Sequence, residues 1–135
     1  MGNDILYAGE GNNTLYGGTG NDTLYAGAGN DIIYAGEGDN ILYGGIGNNT
    51  LYSGSGSDLF ALSAGIGASA IVNFDIGKDL LGLSGGLTFG QLSITQGTNG
   101  DEFFTQIGVA GSSDILATLD WVQANTITSS SFTIV

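Results

Sequence analysis

Large apolar side chains recur at every ninth residue through the first 61 positions, as Leu6, Leu15, Leu24, Ile33, Leu42, Leu51 and Phe60. The residue after each is a tyrosine in six of the seven cases, Tyr7, Tyr16, Tyr25, Tyr34, Tyr43 and Tyr52. Around each apolar residue the pattern x-apolar-x alternates as a short strand does, with one side chain on one face and its two neighbours on the other. The six residues between these strands are small or polar. Glycine fills the second and fourth places of every full repeat, as Gly9 and Gly11, Gly18 and Gly20, Gly27 and Gly29, Gly36 and Gly38, Gly45 and Gly47, and Gly54 and Gly56. Each nonapeptide is therefore predicted to be a glycine-rich turn followed by a strand, because glycine adopts backbone conformations that side chains forbid.

Two nonapeptides make one coil, with one strand on each of two facing sheets. Successive coils then stack as parallel strands about 4.8 Å apart, with the eighth-place residues pointing inward. Residues 1–61 read as such a parallel β-roll. The tyrosines fall on the outer face beside Thr14, Thr23 and Thr50, in two columns, one per sheet. Mutual stacking of like aromatics explains these columns. A binding face built on Tyr16, Tyr34 and Tyr52 is the alternative.

The sixth place is always Asp or Asn. Coil stacking sorts these residues onto two rims, with Asp4, Asp22, Asn40 and Asp58 on one and Asn13, Asp31 and Asn49 on the other. The whole chain has 13 acidic residues against one basic residue, Lys78, giving a net charge of -12. Nucleic acid and anionic membranes are repelled by such a chain. A hydrophobic fraction of 41% argues against simple solvated disorder. Cysteine and histidine are both absent, which removes disulfides, thiolate sites and the usual ligands of transition metals. It also removes the base that a nucleophilic serine needs, and the reading is non-enzymatic. What remains is oxygen chemistry, which suits calcium.

Stacked carboxylates and loop carbonyls without strand partners are both costly unless a cation lies between them. Calcium takes six to eight oxygens, so sixth-place side chains and the glycine carbonyls of two adjacent turns are the candidate ligands. Asn13, Asn40 and Asn49 keep an oxygen while dropping a charge. Pairing along the rims allows at most five ions, with weak affinity of about 10⁻⁴–10⁻³ M. Turn-forming Asp and Asn, or an asparagine ladder without metal, is the alternative. A chain whose sites are absent when unfolded folds as it binds.

These residues resemble the repeats-in-toxin (RTX) nonapeptide, glycine-glycine-x-glycine-x-aspartate-x-apolar-x, and the likeness runs from residue 2 to residue 61 without a gap. The resemblance implies a right-handed parallel β-roll that holds calcium in its turns, in a bacterial protein exported by a type I secretion apparatus. It also implies an extracellular location, secreted or at the cell surface, and the chain is read as a monomer.

After Ala61 the nine-residue phase stops, and residues 62–135 read as a small antiparallel β-rich cap. Its candidate strands are Ala70–Phe74, Leu80–Leu83, Gln91–Thr95, Glu102–Val109, Ile115–Leu119 and Phe132–Val135. Asn99-Gly100 reads as a hairpin turn, and Trp121 with Leu116, Leu119 and Val122 as the cap's core. The run from Ile71 to Ser84 is similar to a segment that follows the repeats in serralysin-like secreted proteins. That likeness implies a segment packed on the end of the roll, with Asp75 and Asp79 as further ligands or as turn-flanking residues. The Ser- and Thr-rich tail from Thr126 to Val135 resembles an uncleaved type I secretion signal. No cleaved N-terminal signal peptide and no membrane-inserting segment is read from the chain.

The reading is a calcium-binding module that folds outside the cell and supports secretion and stability. Two alternatives stand beside it. One is the C-terminal part of a secreted protease or lipase whose catalytic domain lies upstream, suggested by a first repeat that begins in mid-motif. The other is a surface adhesion or ice-binding element working through its Tyr and Thr columns.

Overall fold

The computed structural model describes residues 2–135. Its strands are β1 (Ile5–Glu10), β2 (Thr14–Tyr16), β3 (Thr23–Ala28), β4 (Ile32–Glu37), β5 (Ile41–Tyr43), β6 (Asn49–Ser55), β7 (Leu59–Leu62), β8 (Ser69–Val72), β9 (Leu80–Leu83), β10 (Leu92–Asn99), β11 (Glu102–Val109), β12 (Ile115–Asp120) and β13 (Phe132–Ile134). Helix is limited to three short 3-10 turns among the described residues. The repeat strands alternate between two sheets, one ordered β1-β3-β5-β7-β9-β13 and the other β10-β11-β12-β8-β6-β4-β2. Leu6 pairs with Leu24 and Tyr7 with Tyr25, while Ile33 pairs with Leu51 and Tyr34 with Tyr52. Each partner thus lies two nonapeptides further along the chain, which is one full coil.

Leu15, Leu24, Ile33, Leu42, Leu51 and Phe60 are buried between the sheets. The alternation does not stop at the strand. The sixth place, the eighth and the first of the next repeat all turn inward, and Ala26, Ala35 and Ser53 are buried with the leucines. Burial at the first place leaves room only for Ala, Gly or Ser, and at Gly17 not even a Cβ fits, since it would lie 2.2 Å from the carbonyl oxygen of Ala35.

The strict glycines of the fourth place answer two demands. Gly38 has φ +107, and a Cβ on it would also stand 2.2 Å from the carbonyl oxygen of Gly20 in the coil below. Gly11, with φ +96 but no atom within 4 Å, meets only the first demand.

On the outer faces Tyr7, Tyr25 and Tyr43 stack at ring separations of 4.7 and 4.6 Å, and Tyr16, Tyr34 and Tyr52 at 4.9 and 4.6 Å. The interplanar angles are 4 to 10°. The strand repeat itself sets this spacing, so each ring lies flat on the next.

Beyond Ala61 the nine-residue phase is lost, but the stacking continues. β8 lies parallel on β6 with Thr50 opposite Ala70, and β9 lies parallel on β7 with Phe60 opposite Leu81. The spacing between coils grows to 20 residues at Asn48 and Ala68 and to 21 residues at Asp58 and Asp79. The extra residues widen the turns. β12 then stacks on β8 and β13 on β9, again parallel, while β10, β11 and β12 form the antiparallel portion. All six expected strands of this region are present. The hairpin joins β10 to β11, and because Asn99 pairs with Glu102 its turn residues are Gly100 and Asp101.

Trp121 departs from expectation. Leu116, Leu119 and Val122 are buried, but Trp121 is 57% exposed, edge-on to Phe103 at 5.4 Å. Its backbone is left-handed at φ +60. That twist ends β12, turns the indole out to solvent and leaves the buried place to Val122.

The two demands on glycine are separable by mutation. Gly11→Ala should cost about 1–3 kcal/mol through its backbone conformation alone. Gly38→Ala should lower the thermal midpoint clearly further, since overpacking adds about 1–3 kcal/mol. Equal midpoints for the two variants in thermal unfolding would show that the stacked carbonyls do not constrain the fourth place.

Candidate metal centre

At each turn the chain leaves the sheets, and two consecutive N–H groups lose the carbonyl partners that a strand would give them. Side chains take over that role. From Asp22 onward, the Oδ1 of each sixth-place residue accepts the N–H of the sixth-place residue one coil below. Asp4 donates to Asp22 at 2.8 Å, Asp22 to Asn40 at 2.8 Å and Asn40 to Asp58 at 2.9 Å. On the other rim Asn13 donates to Asp31 at 2.6 Å and Asp31 to Asn49 at 2.8 Å. The structure thus sorts the sixth places into the two expected rims. Asp22, Asp31, Asn40, Asn49 and Asp58 are buried beneath the turns, and Asp4 is exposed at the open end.

A second ladder, not anticipated from the sequence, runs the opposite way through the fifth place. Asn21 donates its N–H to Asn3, Asn30 to Asn12, Asp39 to Asn21, Asn48 to Asn30 and Ser57 to Asp39, all at 2.8–3.0 Å. The signal was there to read: six of the seven fifth places are Asn or Asp, as Asn3, Asn12, Asn21, Asn30, Asp39 and Asn48.

The second polar atom of each sixth-place side chain distinguishes the turns. In Asp22, Asp31 and Asp58 the Oδ2 is buried and has no hydrogen-bond partner. No N–H among the described residues reaches the carbonyl oxygens of Gly20, Gly29 or Gly56 in the same turns either. Where the side chain is Asn13 or Asn40, the Nδ2 donates to the carbonyl of Gly11 at 2.9 Å or of Gly38 at 3.1 Å. Asn49 differs from both, its Nδ2 buried without an acceptor. The second-place carbonyls are occupied in at least two turns, since Gly18 accepts the N–H of Glu37 and Gly27 that of Ile46.

At the cap end Asp79 extends the first rim by one more step. Its Oδ1 accepts the N–H of Asp58 and its Oδ2 that of Asp75, both at 2.8 Å. Asp79 is buried, with one backbone N–H on each carboxylate oxygen. Asp75 is exposed and lies 3.6 Å from the ammonium of Lys78, the chain's one basic side chain. Burial pushes the Asp58 carboxyl up to about 6, opposed by the hydrogen bond from Asn40 and reinforced by the charge of Asp79. Burial likewise raises Asp79, opposed by the N–H groups of Asp58 and Asp75.

This arrangement fits a hard cation. Three buried carboxylate oxygens without partners are costly as they stand, and each shares its turn with a free carbonyl. Among the described residues no three acidic side chains lie close enough to hold a metal by themselves, so any ion here needs the loop carbonyls as well.

A family model described as the RTX calcium-binding nonapeptide repeat (4 copies) matches residues 1–33 and 25–60. Among solved structures the chain is similar to the AlgE6R2 subunit of the Azotobacter vinelandii mannuronan C5-epimerase. The TM-score is 0.52 and the identity 20%, over 96% of this chain and 91% of that one. It is also similar to the AlgE6R3 subunit, with TM-score 0.44 and 21% identity over 98% and 78% of the two chains. For the extracellular lipase LipA from Serratia marcescens the TM-score is 0.42 at 21% identity, over 99% of this chain but 20% of the lipase. Among curated proteins there is no match.

The raised Asp58 carboxyl gives the metal-free chain a pH dependence of known sign. Its folded value of about 6 lies above the unfolded carboxyl value of about 3.9. The folded chain therefore holds the extra proton between those limits, and its stability falls as pH rises through them. In chelator the residual folded fraction read by circular dichroism should be higher at pH 5 than at pH 7, and Asp58→Asn should flatten the difference. A folded fraction that climbs from pH 5 to pH 7 and is unchanged by the substitution would contradict this.

Proposed function

We propose that this chain, whose residues 1–60 belong to the RTX calcium-binding nonapeptide repeats, is a module that folds on meeting calcium outside the cell and supports the export and stability of a type I secreted protein. The observation that carries the reading is the set of three buried, unpartnered carboxylate oxygens on Asp22, Asp31 and Asp58. When bound, calcium supplies positive charge and accepts six to eight oxygen ligands. The chain's own contribution is to bury one unpartnered carboxylate oxygen at each Asp turn, in a turn whose fourth-place glycine carbonyl accepts no N–H among the described residues. In the unfolded chain these oxygens are far apart and hydrated, so binding free energy becomes folding free energy.

The same coupling suits passage through a secretion channel. With little calcium inside the cell the three carboxylates oppose closure of their turns, and the chain stays extensible. Outside, calcium closes the turns. The cap formed by β10–β13 then covers one end of the stack, as the terminal units of solenoids must.

Saturating calcium at 100 times the dissociation constant stabilises the fold by about 2.7 kcal/mol per site. Circular dichroism should accordingly change from a largely disordered spectrum in chelator to a β spectrum at millimolar calcium. Magnesium, smaller and bound to a stricter octahedral geometry, should not substitute. Superimposable folded spectra with and without calcium, with equal thermal midpoints, would overturn the reading.

A further inference from the structure

The sixth-place side chains all meet one fixed demand and differ only in the atom left over. An N–H from the coil below must find an acceptor, so the atom facing it is an oxygen whether the residue is Asp or Asn. In an asparagine the remaining atom is then a nitrogen with two protons. At Asn40 that nitrogen lies 3.1 Å from the carbonyl oxygen of Gly38, and at Asn13 it lies 2.9 Å from that of Gly11. Asn40 is buried, with its oxygen on the N–H of Asp22 and its own N–H on Asp58. Asparagine and aspartate have nearly the same shape. In an Asp turn the same placement would set a carboxylate oxygen against a carbonyl oxygen, with no proton between them, and the Oδ2 atoms of Asp22, Asp31 and Asp58 are buried without a partner.

Resting on the calcium reading above, we propose that the side-chain amides of Asn13 and Asn40 stand where a calcium ion stands in the Asp turns. These two turns are closed by an internal donor, and they bind no metal. The ions are then confined to the turns of Asp22, Asp31 and Asp58. On the first rim the ion-free Asn40 turn separates the Asp22 and Asp58 sites by a full coil each way. Asn thus acts as a built-in substitute for the ion, and the choice of Asp or Asn at the sixth place sets how much of the roll depends on calcium. Asn49, whose amide has no acceptor, closes no turn in this way.

Native mass spectrometry of the full chain at saturating calcium counts the ions directly. The wild type should carry three, Asn40→Asp four, and the double variant Asp22→Asn/Asp58→Asn one. The double variant should also fold at a lower calcium concentration than the wild type, because two more turns close on their own amides. A wild type with four or five ions, and no gain on Asn40→Asp, would overturn the substitution of amide for ion while leaving the calcium reading intact. No bound calcium in the wild type would overturn both. If Asn40→Asp fails to fold, the wild-type count and the lowered calcium requirement of the double variant decide the matter.

Discussion

The fold depends on finding acceptors for the N–H groups of its turns. A parallel sheet satisfies its own backbone, but a roll with short strands spends much of its length outside them, where a buried N–H without a partner is costly. Here the fifth and sixth residues of each turn lend their side-chain oxygens as surrogate carbonyls, one toward the next coil and one toward the coil before. The two opposed ladders hold every coil in register with its neighbours, and they make a pair of nonapeptides the repeat of the structure.

The electrostatics of the rims follow from that use of Asp and Asn. For the backbone the two residues are interchangeable, since each offers one oxygen. For the space beneath the turn they are opposites. The second atom of Asp22, Asp31 or Asp58 is a buried carboxyl oxygen with no hydrogen-bond partner, whereas that of Asn40 is a proton donor already engaged with Gly38. Burying an unpaired charge costs several kcal/mol, and that is the cost the proposed calcium ions would relieve. A net charge of -12 adds repulsion in the same direction.

Much of this was legible in the residues. The nine-residue phase of Leu15, Leu24, Ile33 and Leu42 gave the strands and the core, Tyr7 to Tyr52 gave the outer columns, and pairing of every second repeat gave the rims. The fifth-place ladder was harder to see, because Asn in a turn is common for several reasons and its direction of bonding depends on a backbone that pattern does not show. The place of Asp79 on the rim was hidden for a different reason. It continues the line of Asp22, Asn40 and Asp58 across a longer turn than the others, so it falls outside any fixed phase. Trp121 reads as core on its size, but a left-handed backbone at a strand end outweighs the gain from burying it.

Scalar couplings across hydrogen bonds, measured by NMR on the calcium-saturated chain, test the surrogate-carbonyl ladder most directly. The account predicts couplings from the amide nitrogens of Asp4, Asp22 and Asn40 to the side-chain carbonyl carbons of Asp22, Asn40 and Asp58, and from those of Asn21 and Asp39 to Asn3 and Asn21. If these are missing while the backbone coupling from Thr23 to the carbonyl of Asp4 is observed, the side chains do not hold the coils together and the account is contradicted.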